Sequence, residues 1–187
     1  MTDHAYVVDP LSRQDIRTVA AAVRAVGQSP RGYFDIMGFL EFKLPELSPQ
    51  FQLKILSLAE LGDQLGVTHP DAFIIKLRED IYNKACDGDG FSRMTVAHEL
   101  GHFVLHSESK LGFARKLADD STKAFMNSEW QANCFAGELL VPWQDRNIVT
   151  DLGPWLTVDE YGVSNSAAEC QYRIFSKACR RSASVLW

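Results

Sequence analysis

The sequence predicts a mixed α+β fold: a small sheet packed on two helices that share one polar site, with further helices at both ends. Three stretches carry that expectation. Met94 to Leu105 form an apolar, helix-compatible run interrupted by His98, Glu99 and His102. Ser128 to Val141 read as a second amphipathic helix, ended by Pro142, which cannot extend it. Ala72 to Leu77 are rich in β-forming residues and follow Pro70, the strongest strand signal in the chain.

In chain order, residues 1–11 read as a flexible start. Ser12 caps a helix through Val26, with Asp15 at the capping-box position and Gly27 as the stop. Its apolar stripe is Ile16, Val19, Ala20, Val23 and Val26. Ser29-Pro30-Arg31-Gly32 is a loop. Tyr33 to Phe42 suit a short helix, with a strand as the alternative, and Leu44 to Pro49 mark a break. Phe51 to Leu56 suit a strand and Ser57 to Leu65 a short helix. The strand at 72–77 is expected at the sheet edge beside the site, where an extended peptide can pair with it. Asp87-Gly88-Asp89-Gly90 turn the chain into the next helix; they lack the spaced carboxylates and closing Glu of a calcium loop. Ser107 to Asn127 connect the two polar helices over the surface and can shape a cleft wall. Thr157 to Ala168 suggest a helix–turn–helix about Gly162, its second helix reaching about Cys179.

The chemistry concentrates in His98-Glu99-Leu100-Gly101-His102, an H-E-x-x-H motif. Residues four apart on a helix share a face, about 6 Å apart along the axis. His98 and His102 can therefore offer two imidazole nitrogens to one ion, with Glu99 placed to take a proton from water. This is the pattern of a zinc-dependent peptide hydrolase. The flanking residues bury the motif, and a buried histidine pair needs a partner. Gly101 costs the helix roughly 1 kcal/mol against alanine, which a close approach by substrate or another backbone would explain. Catalytic zinc takes three protein ligands and leaves a position for water. Glu129 is the expected third ligand, and Asn133, one turn on, the group that orients a ligand histidine. Glu138 lies about two and a half turns past Glu129 and points the opposite way. A donor to the tetrahedral intermediate is also required. Its candidates are His106, Tyr82, Tyr161, Tyr172 and Arg173; His106 has the simpler alternative of anchoring its helix end. Cys134 reads as a small packing residue.

A chain of 187 residues with 46% hydrophobic and 11% aromatic side chains can build an ordinary core. One metallopeptidase domain over 1–187 is expected, with an N-terminal helical part (12–45), a catalytic core (70–145) and the helix–turn–helix-like segment (155–181). The net charge of −5 argues against general affinity for nucleic acid. Residues 150–187 hold four basic and four acidic side chains, so direct nucleic-acid binding by that segment is not expected either. Cys86, Cys134, Cys170 and Cys179 form no C-x-x-C pair and read as reduced cytosolic thiols. No apolar run approaches the ~20 residues of a membrane span.

Thr95-Val96-Ala97-His98-Glu99-Leu100-Gly101-His102-Phe103-Val104-Leu105-His106, followed by Glu129 to Pro142, resemble the ImmA/IrrE metallopeptidases. That family's pattern is roughly T-x-A-H-E-L-G-H-x-x-L-H, then E-x-x-A-N-x-F-A-x-x-L-L-x-P. Asp80 to Ala85, with Gly88, Gly90 and Arg93, are similar to the family's approach to its active-site helix. The likeness covers about residues 70–145. It implies a gluzincin-like fold with Zn2+ on His98, His102 and Glu129 and with Glu99 as the base. It further implies a cytoplasmic protein whose partner is a helix-turn-helix repressor or an antitoxin. The expected function is zinc-dependent cleavage of one specific regulatory protein. The alternatives are a non-proteolytic, zinc-containing component of a toxin–antitoxin or repressor complex, and a DNA-binding regulator using the C-terminal helices.

Overall fold

A computed structural model describes residues 5–106 and 117–183; the part of the expected 107–127 connection up to residue 116 lies outside them. Helix α1 (Arg13–Val26) starts at Ser12, whose hydroxyl accepts the Asp15 N–H while the Asp15 carboxylate accepts the Ser12 N–H, and stops at Gly27. Next come α2 (Ile36–Gly38), a π-helical stretch at Phe39–Lys43 and α3 (Leu44–Leu47). The break expected from Leu44 therefore comes later, at Ser48. Pro45 lies in the first turn of α3, where a missing N–H leaves little unsatisfied.

Three strands form one sheet in the order β1-β3-β2: β1 (Gln52–Leu56), β2 (Gly66–His69) and β3 (Ile74–Arg78). β1 runs parallel to β3, with Gln52 opposite Ile74; β2 runs antiparallel to it, with Gly66 opposite Leu77. Helix α4 (Leu58–Leu61) lies between β1 and β2 in sequence. Two expectations are corrected here. The helix expected over Ser57–Leu65 shrinks to one turn, and the four residues after Leu65 are a strand too short to show a period. The strand expected at the sheet edge is instead its centre, with Ile75 and Leu77 fully buried. β2 is the edge that lies against the histidine helix.

Helix α5 (Glu79–Cys86) and the Asp87–Gly90 turn lead into α6 (Gly90–His106). Asp89 starts α6 by accepting the Ser92 N–H at 2.8 Å. Asn127 does the same for α7 (Ser128–Leu140), accepting the Trp130 N–H at 3.0 Å. Gly101 shows why α6 tolerates a glycine. A Cβ there would lie 3.1 Å from both the Cα and the carbonyl oxygen of Ala132, so its absence lets α7 cross at close range. Helix α8 (Arg146–Tyr161) breaks its helical geometry at Gly153, before Pro154. Helix α9 (Asn165–Ala183) follows the left-handed Gly162 and runs past the expected end near Cys179. Tyr161, Val163, Ala168 and Phe175 are buried in the same apolar cluster as Ile16, Leu77, Leu100 and Phe135. The C-terminal pair of helices is thus packed on the rest rather than standing clear of it. Among the described residues, no helix is long and apolar enough to cross a membrane.

Candidate metal centre

One face of α6 and the first turn of α7 bring His98, His102 and Glu129 together, the three residues expected as ligands. His98 Nε2 and His102 Nε2 lie 3.0 Å apart. Glu129 reaches His98 Nε2 through Oε2 and His102 Nε2 through Oε1, each at 3.1 Å. Donors bonded to a tetrahedral zinc at about 2.0 Å sit roughly 3.3 Å from one another, so these atoms outline one face of such a site. The three residues form a group able to hold a metal ion, the one such group among the described residues.

The surrounding hydrogen bonds fix which ring nitrogens carry protons. Gln131 Nε2 donates to the carbonyls of Asp9 and Phe125 at 2.8 and 2.9 Å. Its Oε1 therefore faces His106 Nε2, 3.1 Å away, as an acceptor. That puts the His106 proton on Nε2 and leaves its Nδ1 to accept from His102 Nδ1 at 3.2 Å. His98 Nδ1 donates to Asn133 Oδ1 at 3.1 Å. With both imidazoles neutral, both Nε2 atoms are thus left with lone pairs that converge on a carboxylate. Such a cluster of acceptors is repulsive without a cation between them. A divalent ion fits this donor set.

Electrostatics agree. Burial alone would favour the neutral form of Glu129, but its contacts with His102 and His98 outweigh that and hold its pKa far below the usual carboxylate range. At His98 burial opposes charge, yet the Glu129 hydrogen bond and the Glu99 and Glu129 charges prevail and raise its pKa. The site attracts positive charge, and a proton and a metal ion compete for it.

Glu99 faces the same cleft, 4% exposed. Thr68 Oγ1, from edge strand β2, lies 2.6 Å from Glu99 Oε2. Gly66 presses on the same side chain, where a Cβ would come within 2.7 Å of Glu99 Cγ. Neither residue is legible as a site residue in the sequence, because the strand that carries them is not. Gln131 was likewise missed; its signal was a polar residue on the buried side of an apolar helix.

Of the candidate oxyanion donors, His106 alone lies beside the metal ligands, and its two nitrogens are engaged by His102 and Gln131. Tyr161 is excluded: it is 1% exposed and its hydroxyl donates to Asp145 at 3.2 Å. It closes α8 against the core, so the burial that a tyrosine ring gains there overrides any role in the cleft. Tyr82 donates to Glu41, Tyr172 packs on the core, and Arg173 is exposed on α9. Cys134 lines the cleft, but its buried thiol, pushed up to about 11 by that burial, stands outside the His98, His102 and Glu129 group. Glu138 points away as expected and meets Arg13 and Arg17.

The family model for the IrrE N-terminal-like domain, a peptidase family, matches residues 59–170, a span that holds β2, β3 and both ligand-bearing helices. No curated protein matches the chain in sequence. Among solved structures it is similar to a Mycobacterium tuberculosis transcriptional regulator, with 15% identity and a TM-score of 0.53 over 84% of this chain. The chain spans about half, 54%, of that protein's length.

Proposed function

The chain belongs to the IrrE N-terminal-like peptidase family, and from that premise we propose that it is a zinc-dependent endopeptidase acting on one regulatory protein. The observation that carries the reading is the convergence of four lone-pair atoms from three residues, with contacts of 3.0–3.1 Å, beside the buried Glu99. In it, His98, His102 and Glu129 hold the zinc, and residues 1–187 work as one metallopeptidase domain. When bound, such an ion polarises a scissile carbonyl and lowers the pKa of water. Glu99 takes a proton from the attacking water and later delivers it to the departing amine. Thr68 holds that carboxylate in one orientation, and Asn133 and His106 hold the two imidazoles. A helix-turn-helix repressor or an antitoxin in the cytoplasm is the substrate, a reading that the family resemblance supports.

The test is incubation of the zinc-loaded protein with the helix-turn-helix regulator encoded nearest its gene. Cleavage is expected, and Glu99→Gln should keep its zinc while losing about 10²–10⁴-fold in rate. A regulator that is bound but left intact by wild type and variant alike would favour the non-proteolytic complex. Failure to take up metal at all would overturn both.

A further inference from the structure

The metal centre occupies one end of a cleft of about 650 Å³. From Glu129 the cleft follows α7 past Asn133 and Cys134 to Gly137, with Cys170 of α9 across from it. Eight helical residues advance about 12 Å, a distance that three to four residues of extended peptide cover. Met94 and Trp130 give this path apolar walls.

The far end carries charge. Arg13 lines the cleft there. Its Nη1 lies 3.1 Å from Glu138 Oε1, while Arg17 Nε holds Glu138 Oε2 at 2.9 Å. Two guanidinium groups thus share one carboxylate, leaving one positive charge uncompensated within the trio. Glu138 is completely buried and Arg17 is 13% exposed, whereas the Arg13 side chain is 30% exposed. The surplus charge is therefore presented to the cleft by Arg13. Only one of its donor atoms is spent on Glu138, and the rest of its planar fork suits a carboxylate.

Resting on the proteolytic reading, we propose that the cleft selects an extended peptide segment bearing an acidic side chain three or four residues from the scissile bond, and that Arg13 is the specificity-determining residue that binds it. The apolar stretch between takes an aliphatic or aromatic side chain.

Binding to zinc-loaded Glu99→Gln tests this without turnover. The probes are fluorescein-labelled Gly/Ser decapeptides with a central leucine and a glutamate three or four residues to either side, each with a glutamine twin. Fluorescence anisotropy should show at least one glutamate peptide binding about tenfold tighter than its twin. Adding Arg13→Gln should abolish that advantage, and Arg13→Lys should keep part of it. Equal affinity within every pair, or an advantage that survives Arg13→Gln, overturns the proposal. If Arg13→Gln does not fold, the pairs measured on Arg13-containing protein still decide. No binding of any peptide also overturns it, while cleavage of the whole regulator by wild type would leave the proteolytic reading standing.

Discussion

Helix α7 carries two glutamates, one half-buried and one buried, and their company differs. Glu129, in its first turn, faces two imidazole nitrogens whose protons are held on the far side of each ring. Glu138, near its end, faces two guanidinium groups from α1. The second carboxylate is already neutralised by protein, so it ties α1 to α7 and asks for nothing more. The first adds negative charge to lone pairs, and only a cation completes it. The same residue type in one helix thus serves architecture or chemistry according to whether its partners bring protons.

The sharpest way to break this comparison is to truncate each glutamate. Glu129→Ala should abolish zinc uptake, read by mass spectrometry on protein purified beside wild type, and leave the circular dichroism spectrum unchanged. Zinc retained at wild-type level would remove Glu129 from the ligand set. Glu138→Ala should do the reverse, keeping zinc in the folded protein while lowering stability by about 3 kcal/mol, the lower end for a broken buried pair because both arginines can turn toward water. A melting point lower by roughly 6–12 °C is expected. If the melt does not move, Glu138 is not the tie described here.

Smaller changes refine the picture at the metal end. Asn133→Ala frees the His98 ring to turn and should weaken zinc binding by about 10–100-fold, measured by chelator competition; an unchanged affinity would show that burial alone orients His98. Thr68→Val removes the hydroxyl from Glu99 and should lower kcat by about tenfold with little change in KM. Thr68→Ser should restore it, and a change confined to KM would reassign Thr68 to substrate binding.

Much of this site is legible in sequence because helical geometry is local. Spacing of four places His98 and His102 on one face, and the same arithmetic sets Glu129 with Asn133 and turns Glu138 away. Caps are local too, so the start of α1 at Ser12 and its stop at Gly27 follow from side chains within a few residues. What stayed hidden depends on partners distant in sequence. β2 is four residues long and exists through its pairing with β3, so Thr68 and Gly66 carry no pattern of their own. The order of the sheet is equally non-local, which is why the 74–78 strand, read as an edge, is central. Tyr161 shows the limit of naming candidates by residue type: its ring is claimed by the core at the end of α8.

By itself, the sequence determined the mixed α+β class, the helix pair with its metal-type donors, and the glutamate next to them. Periodicity and residue chemistry suffice for those. Tertiary structure alone decided three other things: which strand steadies Glu99, which histidine nitrogens face inward, and where the cleft turns from apolar to cationic. Each depends on groups from separate segments meeting in space. The inward-facing nitrogens show this most directly, since the proton on His102 is set through His106 and Gln131 by the carbonyls of Asp9 and Phe125.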